Sequence, residues 1–305
     1  MARRSTPRRA IRTRRRWLRS SAALLVILAL LAGLGYGGWR LWQKTNSLFQ
    51  PPPVNEGCQA TVGGKSYTLD LEQSSNAAII SAEAIRRGLP ARAASIALAT
   101  AMQESGLRNL DYGDRDSIGL FQQRPSQGWG TEAQIKDPWY SSGKFYDELV
   151  KVRGWQTEDI NDVAQSVQKS GVPDGYRKHA DDAKAWASVL TGQSPRALSC
   201  VNRSSQAGKA SALASTAVKG LAGRATVSSS GTTVTIRATR TDAVWAGVAL
   251  TMASTDTAPI ASATVGTTGW TLDPKQYAGW TAAAGPSSSP SAQAPATTGT
   301  VKTLG

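Results

Sequence analysis

The sequence predicts a mainly α chain. It comprises one N-terminal transmembrane helix, an α-rich domain with a small β or loop region, a small α+β domain and a disordered C-terminal tail. Three observations predict it. From Ser20 to Gly38 nineteen residues carry no charge. The run Ala93, Ala94, Ile96, Ala97, Leu98, Ala99, Ala101 and Met102 leaves a helix no polar face, the signature of burial. Beyond residue 207 the pattern reads helix, strand, strand, helix, strand.

The net charge of +14 is a tail effect. Residues 1–45 carry eleven cations and no acid, residues 58–200 sixteen cations against seventeen acids, and residues 201–305 eight against three. A near-neutral middle argues against a nucleic-acid groove. Residues 1–19 form a basic cytoplasmic tail, and residues 20–38 are about long enough to span roughly 30 Å of hydrocarbon. Trp17 on one side, with Trp39 and Trp42 on the other, suits a retained signal-anchor better than a cleaved signal peptide. Nine arginines before Ser20 hold the N-terminus inside, which sends the later domains outside the cytoplasmic membrane. A single span excludes a transporter. Residues 39–57, with Pro51 to Pro53, read as a stalk.

Cys58 and Cys200 are the only cysteines. Outside the cell such a pair oxidises and persists, whereas two cysteines and the lone His179 make a poor metal set. The expectation is a disulfide bracketing a domain at 58–200, with no metal and no cofactor.

Within that domain Ser74 or Ser75 caps a helix that Gly88 stops, and a second helix runs from near Pro90 to Ser105. Thr131 opens a capping box, and Thr157 caps a helix that Gly171 ends. The last helix puts Ala180, Ala183, Trp186, Ala187 and Leu190 on one stripe. From Leu107 to Arg124 the periodicity lapses, leaving a loop or small hairpin. Residues 207–281 form the α+β module, with strands around Gly231, a helix from Thr241 to Met252 and a strand near Ile260 to Val265. Residues 282–305 lack the apolar content to fold.

One acid, Glu104, closes the apolar helix. Burial raises a carboxyl's pKa, so such a group keeps its proton near neutrality and can give it to a leaving oxygen. Exposure to solvent, or pairing with Arg108, is the plainer alternative.

Glu104-Ser105, then Gly113-Asp114-Arg115, then "GLFQ" at Gly119 to Gln122 resembles the lysozyme-like superfamily, goose-type lysozymes and soluble lytic transglycosylases in particular. The longer run from "GLFQQRPSQGWGT" to "VQKSGVPDGY" resembles a variant in exported actinobacterial cell-wall proteins. The resemblance covers about residues 75–190. It implies a lysozyme-like fold and a general acid/base, Glu104, that cuts the β-1,4 bond between N-acetylmuramic acid and N-acetylglucosamine in peptidoglycan. It further implies that Ser105 supports the turn beside the substrate, that Gln122 and Gln123 line the cleft, and that Asp114, with Asp116 nearby, is a second acid or a water-positioning group. A second goose-type aspartate is replaced by Arg124, which leans towards a lytic transglycosylase needing one acid/base over a two-carboxylate muramidase. The family's Ala-Tyr-Asn-Ala-Gly stretch reads "AQSVQKSG" here, with Gln168 in place of asparagine and Val167 in place of tyrosine. Tyr176 either supplies a phenol to the cleft or packs in the core, and Trp129, in a glycine-flanked loop, is a candidate sugar platform. The expected partners are glycan strands and the membrane. The rival reading is a non-catalytic lysozyme-like module that binds or scaffolds peptidoglycan.

Overall fold

The computed structural model describes residues 28–42, 52–282 and 297–304. Residues 28–42 form helix α1, on which Leu28, Leu34 and Trp39 are exposed. Residues 20–27 of the expected span, the basic tail and residues 43–51 of the stalk lie outside the described residues. Among the described residues no helix is long and apolar enough to cross a membrane. The chain divides into two units, residues 1–52 and residues 53–305.

The second unit is mixed α and β, with two antiparallel sheets. Strands β1 (Gly57–Val62) and β2 (Lys65–Leu69) form a hairpin through Gly63 and Gly64, whose φ of 59° and 76° suit a two-residue turn. Strand β3 (Leu198–Val201) pairs on the other side of β1 and sets Cys200 directly opposite Cys58. The two form the expected disulfide. No periodicity in the sequence announces this sheet, because its strands are short and lie at the two ends of a helical stretch.

Helix α2 (Leu71–Arg86) starts ahead of Ser74. Asp70 and Gln73 form a capping box, while Ser74 and Ser75 are buried inside the helix. Helix α3 (Ala91–Ser105) keeps Pro90 in extended backbone at its N-cap rather than inside its first turn. Thr131 caps the short α4 (Glu132–Ile135) with the expected box, and α5 (Pro138–Leu149), which no periodicity announced, starts on Asp137. Asp159, not Thr157, caps α6 (Ile160–Gln168), and left-handed Lys169 ends it before Gly171. Helix α7 (Ala180–Leu190) follows the expected stripe. Helix α3 packs against α2, α5, α6 and α7 and is buried from Ala93 to Ala101, which explains its missing polar face.

The later residues form α8 (Ala210–Gly220), β4 (Thr226–Ser230), β5 (Thr233–Arg237), α9 (Thr241–Ala253), β6 (Ile260–Val265), β7 (Thr268–Thr271), β8 (Thr281–Ala282) and β9 (Thr298–Thr303). The sheet order is β4-β5-β9-β6-β7-β8. Residues 283–296 of the disordered tail expected at 282–305 lie outside the described residues, and its end is corrected, since β9 lies between β5 and β6. Gly299, Val301 and Thr303 are buried there on alternate positions, a period that a window averaged over serine, proline and alanine hides. A Cβ on Gly299 would come within 2.6 Å of Val248 on α9, so only glycine lets the strand lie this close. Helices α8 and α9 both pack on α2, and apolar side chains run continuously from Cys58 through Trp186 to Val301.

Candidate active site

Helix α3 stops at Ser105 for a local reason. Gly106 adopts φ 63° and donates to the Met102 carbonyl, while Leu107 donates to that of Ala101. This pair of hydrogen bonds closes the helix, and buried Leu107 anchors the exit. Glu104 is thus held half-buried in the last turn of a helix that is dry upstream.

The following loop is folded against that turn. Ser105 Oγ donates to the Leu120 carbonyl at 2.8 Å, a bracing role with the hydroxyl facing protein. Gly119 has φ 78°, and a Cβ there would sit 2.9 Å from the Ile135 carbonyl. Gln122 is itself left-handed at φ 49°, and its Nε2 donates to the Tyr112 carbonyl at 3.2 Å. Its Oε1 occupies the space over Gly113, where a Cβ would overlap it at 1.9 Å. The glycines of the motif are therefore places where chain and amide meet. Ile118 and Gln123 form an isolated antiparallel bridge, and Phe121 stacks on Phe145 in the core at 4.8 Å. Gln123 is 1% exposed, with Nε2 donating to the Ser141 carbonyl at 3.1 Å and Oε1 without a partner.

A cavity of about 320 Å³ opens on this wall. Glu104, Asp114, Gln122, Arg124, Trp129 and Gln168 are among its lining residues. Tyr176, fully buried, donates its phenol proton to Glu104 Oε1 at 2.5 Å. The two readings of Tyr176 therefore merge, because its ring is core and its hydroxyl meets the acid. Gln168 donates to the Phe121 carbonyl at 2.8 Å and lies beside the Glu104 carboxyl, whose anion its amide favours. Burial pushes the Glu104 pKa up, and the hydrogen bonds from Tyr176 and Gln168 pull it part of the way back. Burial, reinforced by the neighbouring Glu104, pushes the Tyr176 phenol up as well, so it keeps its proton.

Asp114 is exposed on the cavity wall. Asp116 is occupied elsewhere, accepting from the Ser126 amide at 2.8 Å and from Arg124 Nε at 2.7 Å. Hydrogen bonds from Ser126 and Arg124 hold its carboxyl well below the usual range, so it stays an anion already matched to a cation. Arg108 pairs with Asp70 and Glu72 and leaves Glu104 alone.

Asn161 escaped the sequence reading. It is 2% exposed, and its Oδ1 accepts from the Tyr176 amide at 3.2 Å while Nδ2 donates to the Pro173 carbonyl at 3.0 Å. It clamps the segment that delivers Tyr176. A buried amide on the apolar side of α6 was the available signal. Lys169 and Ser170, also on the cavity wall, carried none.

The arrangement supplies one carboxyl with a raised pKa, a fixed phenol donor and an adjoining cavity. Compared with protein-family models and with curated proteins, the chain matches none.

Proposed function

We propose that this chain is a membrane-anchored, outward-facing enzyme that cleaves the MurNAc–GlcNAc β-1,4 bond of peptidoglycan, with Glu104 as its single general acid/base. The observation that carries the reading is the Glu104 carboxyl, whose pKa burial pushes up and whose Oε1 is bonded to Tyr176 beside a cavity. Donation to Oε1 leaves the other carboxyl oxygen to carry the exchangeable proton.

In the first half of the reaction that proton passes to the glycosidic oxygen as the muramyl C1–O bond breaks. The carboxylate left behind is stabilised by the same two donors, Tyr176 and Gln168. In the second half the sugar's 6-hydroxyl oxygen bonds to C1 while its proton returns to Glu104, closing a 1,6-anhydro ring. No second carboxylate is needed, which agrees with Asp116 being tied to Arg124. Trp129, half-buried on the cavity wall, supplies a face for a sugar ring. Ser105, Gln122 and Gln123 act mainly by holding the wall in place. The uncharged run at 20–38 supports the anchor, and the Cys58–Cys200 disulfide supports an outside location.

The pairing of Asp116 with Arg124 also favours a second reading, a lysozyme-like module that grips glycan without cutting it. The test is digestion of purified peptidoglycan by the full chain and by its Glu104→Gln form, with mass spectrometry of the products. Anhydro-muropeptides that disappear in the variant support the transglycosylase. New reducing ends point to a hydrolase, and sedimentation with peptidoglycan without release by either form points to the binder.

A further inference from the structure

The cavity at Glu104 does not end at Trp129. A second cavity of about 600 Å³ shares Trp129, Gln168 and Lys169 with it and extends to Lys144 and Lys151. Lys144 in turn also lines a third, of about 340 Å³, whose far side carries Lys219 from α8. The three are neighbours that share lining residues, the second and third through Lys144.

Charge along this series is unbalanced in a specific way. Of its acids beyond Trp129, all except Asp137 are ion-paired. Glu148 pairs with Lys151 at 2.7 Å. Glu83, 2% exposed, is gripped by Arg86 and Arg87, and Arg87 also takes Asp147. Asp137 accepts from the Trp139 amide as the cap of α5. Lys144, Lys169 and Lys219, by contrast, form no ion pair among the described residues. Two of them are held over aromatic rings instead, Lys219 at 4.2 Å from the Trp139 centroid and Lys144 at 5.7 Å from that of Tyr140. An aromatic face orients an ammonium and leaves its N–H groups free to bind an acceptor.

We propose that this lysine-lined lobe binds carboxylates of the peptide carried by the glycan strand, so that the site prefers strands whose peptides bear free carboxylates. The proposal rests on the reading of Glu104 as the glycan-cleaving site. It commits to a peptide attached to the strand because the lobe borders the Glu104 cavity along Trp129 and Gln168. A carboxylate carried by a sugar beside Glu104 is within reach of that bordering lobe. Lys219 gives the α+β portion of the chain a direct part in recognition.

The experiment uses the full chain carrying Glu104→Gln, titrated by calorimetry with three probes. These are a disaccharide-peptide with free carboxylates, the same compound amidated, and the bare disaccharide. The free-carboxylate probe should bind about tenfold more tightly than the amidated one, an advantage that shrinks as salt is added. The advantage should vanish in the Lys144→Gln/Lys219→Gln form while binding of the bare disaccharide is kept. Equal affinity for the free and amidated probes overturns the proposal, and needs no lysine substitution to be seen. So does an advantage that survives both substitutions, or a glycerol-phosphate polymer that binds the lobe while the free-carboxylate probe does not. If the unsubstituted chain cuts no glycan yet the carboxylate preference holds, the lobe stands and the cleavage reading falls. If the chain cuts glycan with no such preference, the lobe alone falls.

Discussion

Tyr176 and Glu104, 72 residues apart in the chain, meet phenol to carboxyl at 2.5 Å. The ring is buried and the phenol holds its proton, and in the structure it donates to the glutamate. That direction favours the carboxylate and opposes the upward push of burial. The acid is therefore tuned between two effects of opposite sign, and each can be removed separately.

Replacing Tyr176 by phenylalanine removes the donor and keeps the ring. The Glu104 pKa should rise further, moving the basic limb of the pH–activity profile to higher pH. A hydrogen bond to a charged group is worth about 1.5–3 kcal/mol, so the rate at neutral pH should fall by about ten- to a hundredfold. A pH–rate profile unchanged from that of the parent chain would remove Tyr176 from the mechanism.

Glu104 should cost the protein stability as pH rises. Its folded-state pKa is raised, so the native state binds the proton more tightly than the unfolded chain does. The stability this gives is full below the ordinary glutamate pKa and is lost as pH climbs through the folded value. Glu104→Gln, which cannot ionise, should melt like the parent in acid and increasingly above it towards neutrality. Thermal melts at several pH values check this, and parallel curves would contradict it.

Asn161→Ala should loosen the 173–176 segment by freeing the Tyr176 amide and leaving the Pro173 carbonyl unpaired. The expected loss is about 1–3 kcal/mol in denaturant titration. Hydrogen exchange should quicken at the Tyr176 amide ahead of amides in α3. A uniform increase across the fold would make Asn161 a general packing residue only.

Reducing the Cys58–Cys200 bond opens a loop with a sequence separation of 142 residues. Chain entropy alone then gives a loss of about 4–5 kcal/mol. Both cysteines are fully buried and join the two outer ends of the helical stretch through β1 and β3. Melting with and without reductant, beside the Cys58→Ser/Cys200→Ser form, measures it.

The sequence determined the features that depend on neighbours along the chain. The all-apolar run demanded burial for α3, and Gly106 with Leu107 dictated where that helix stops, leaving Glu104 at its edge. The capping box at Thr131 and the hairpin around Gly231 were legible for the same reason, since each is settled within a few residues. Where several local signals competed, the nearest polar residue was not always the cap: Asp70 displaced Ser74, and Asp159 displaced Thr157. Both winners are carboxylates placed where the amide of the first turn can reach them.

Tertiary structure decided the rest. Which strand β9 joins, that Asp116 is spent on Arg124, and that Asn161 holds the chain in place for Tyr176 to reach Glu104 are facts about partners far apart in sequence. A side chain's type sets what it can bond, but the energy of a buried hydrogen bond or charge depends on what packing brings within about 3 Å and how much water it excludes. Spacing alone carries neither quantity. Sequence thus located the acid, and only the folded chain gave it its phenol donor, its cavity and its raised pKa.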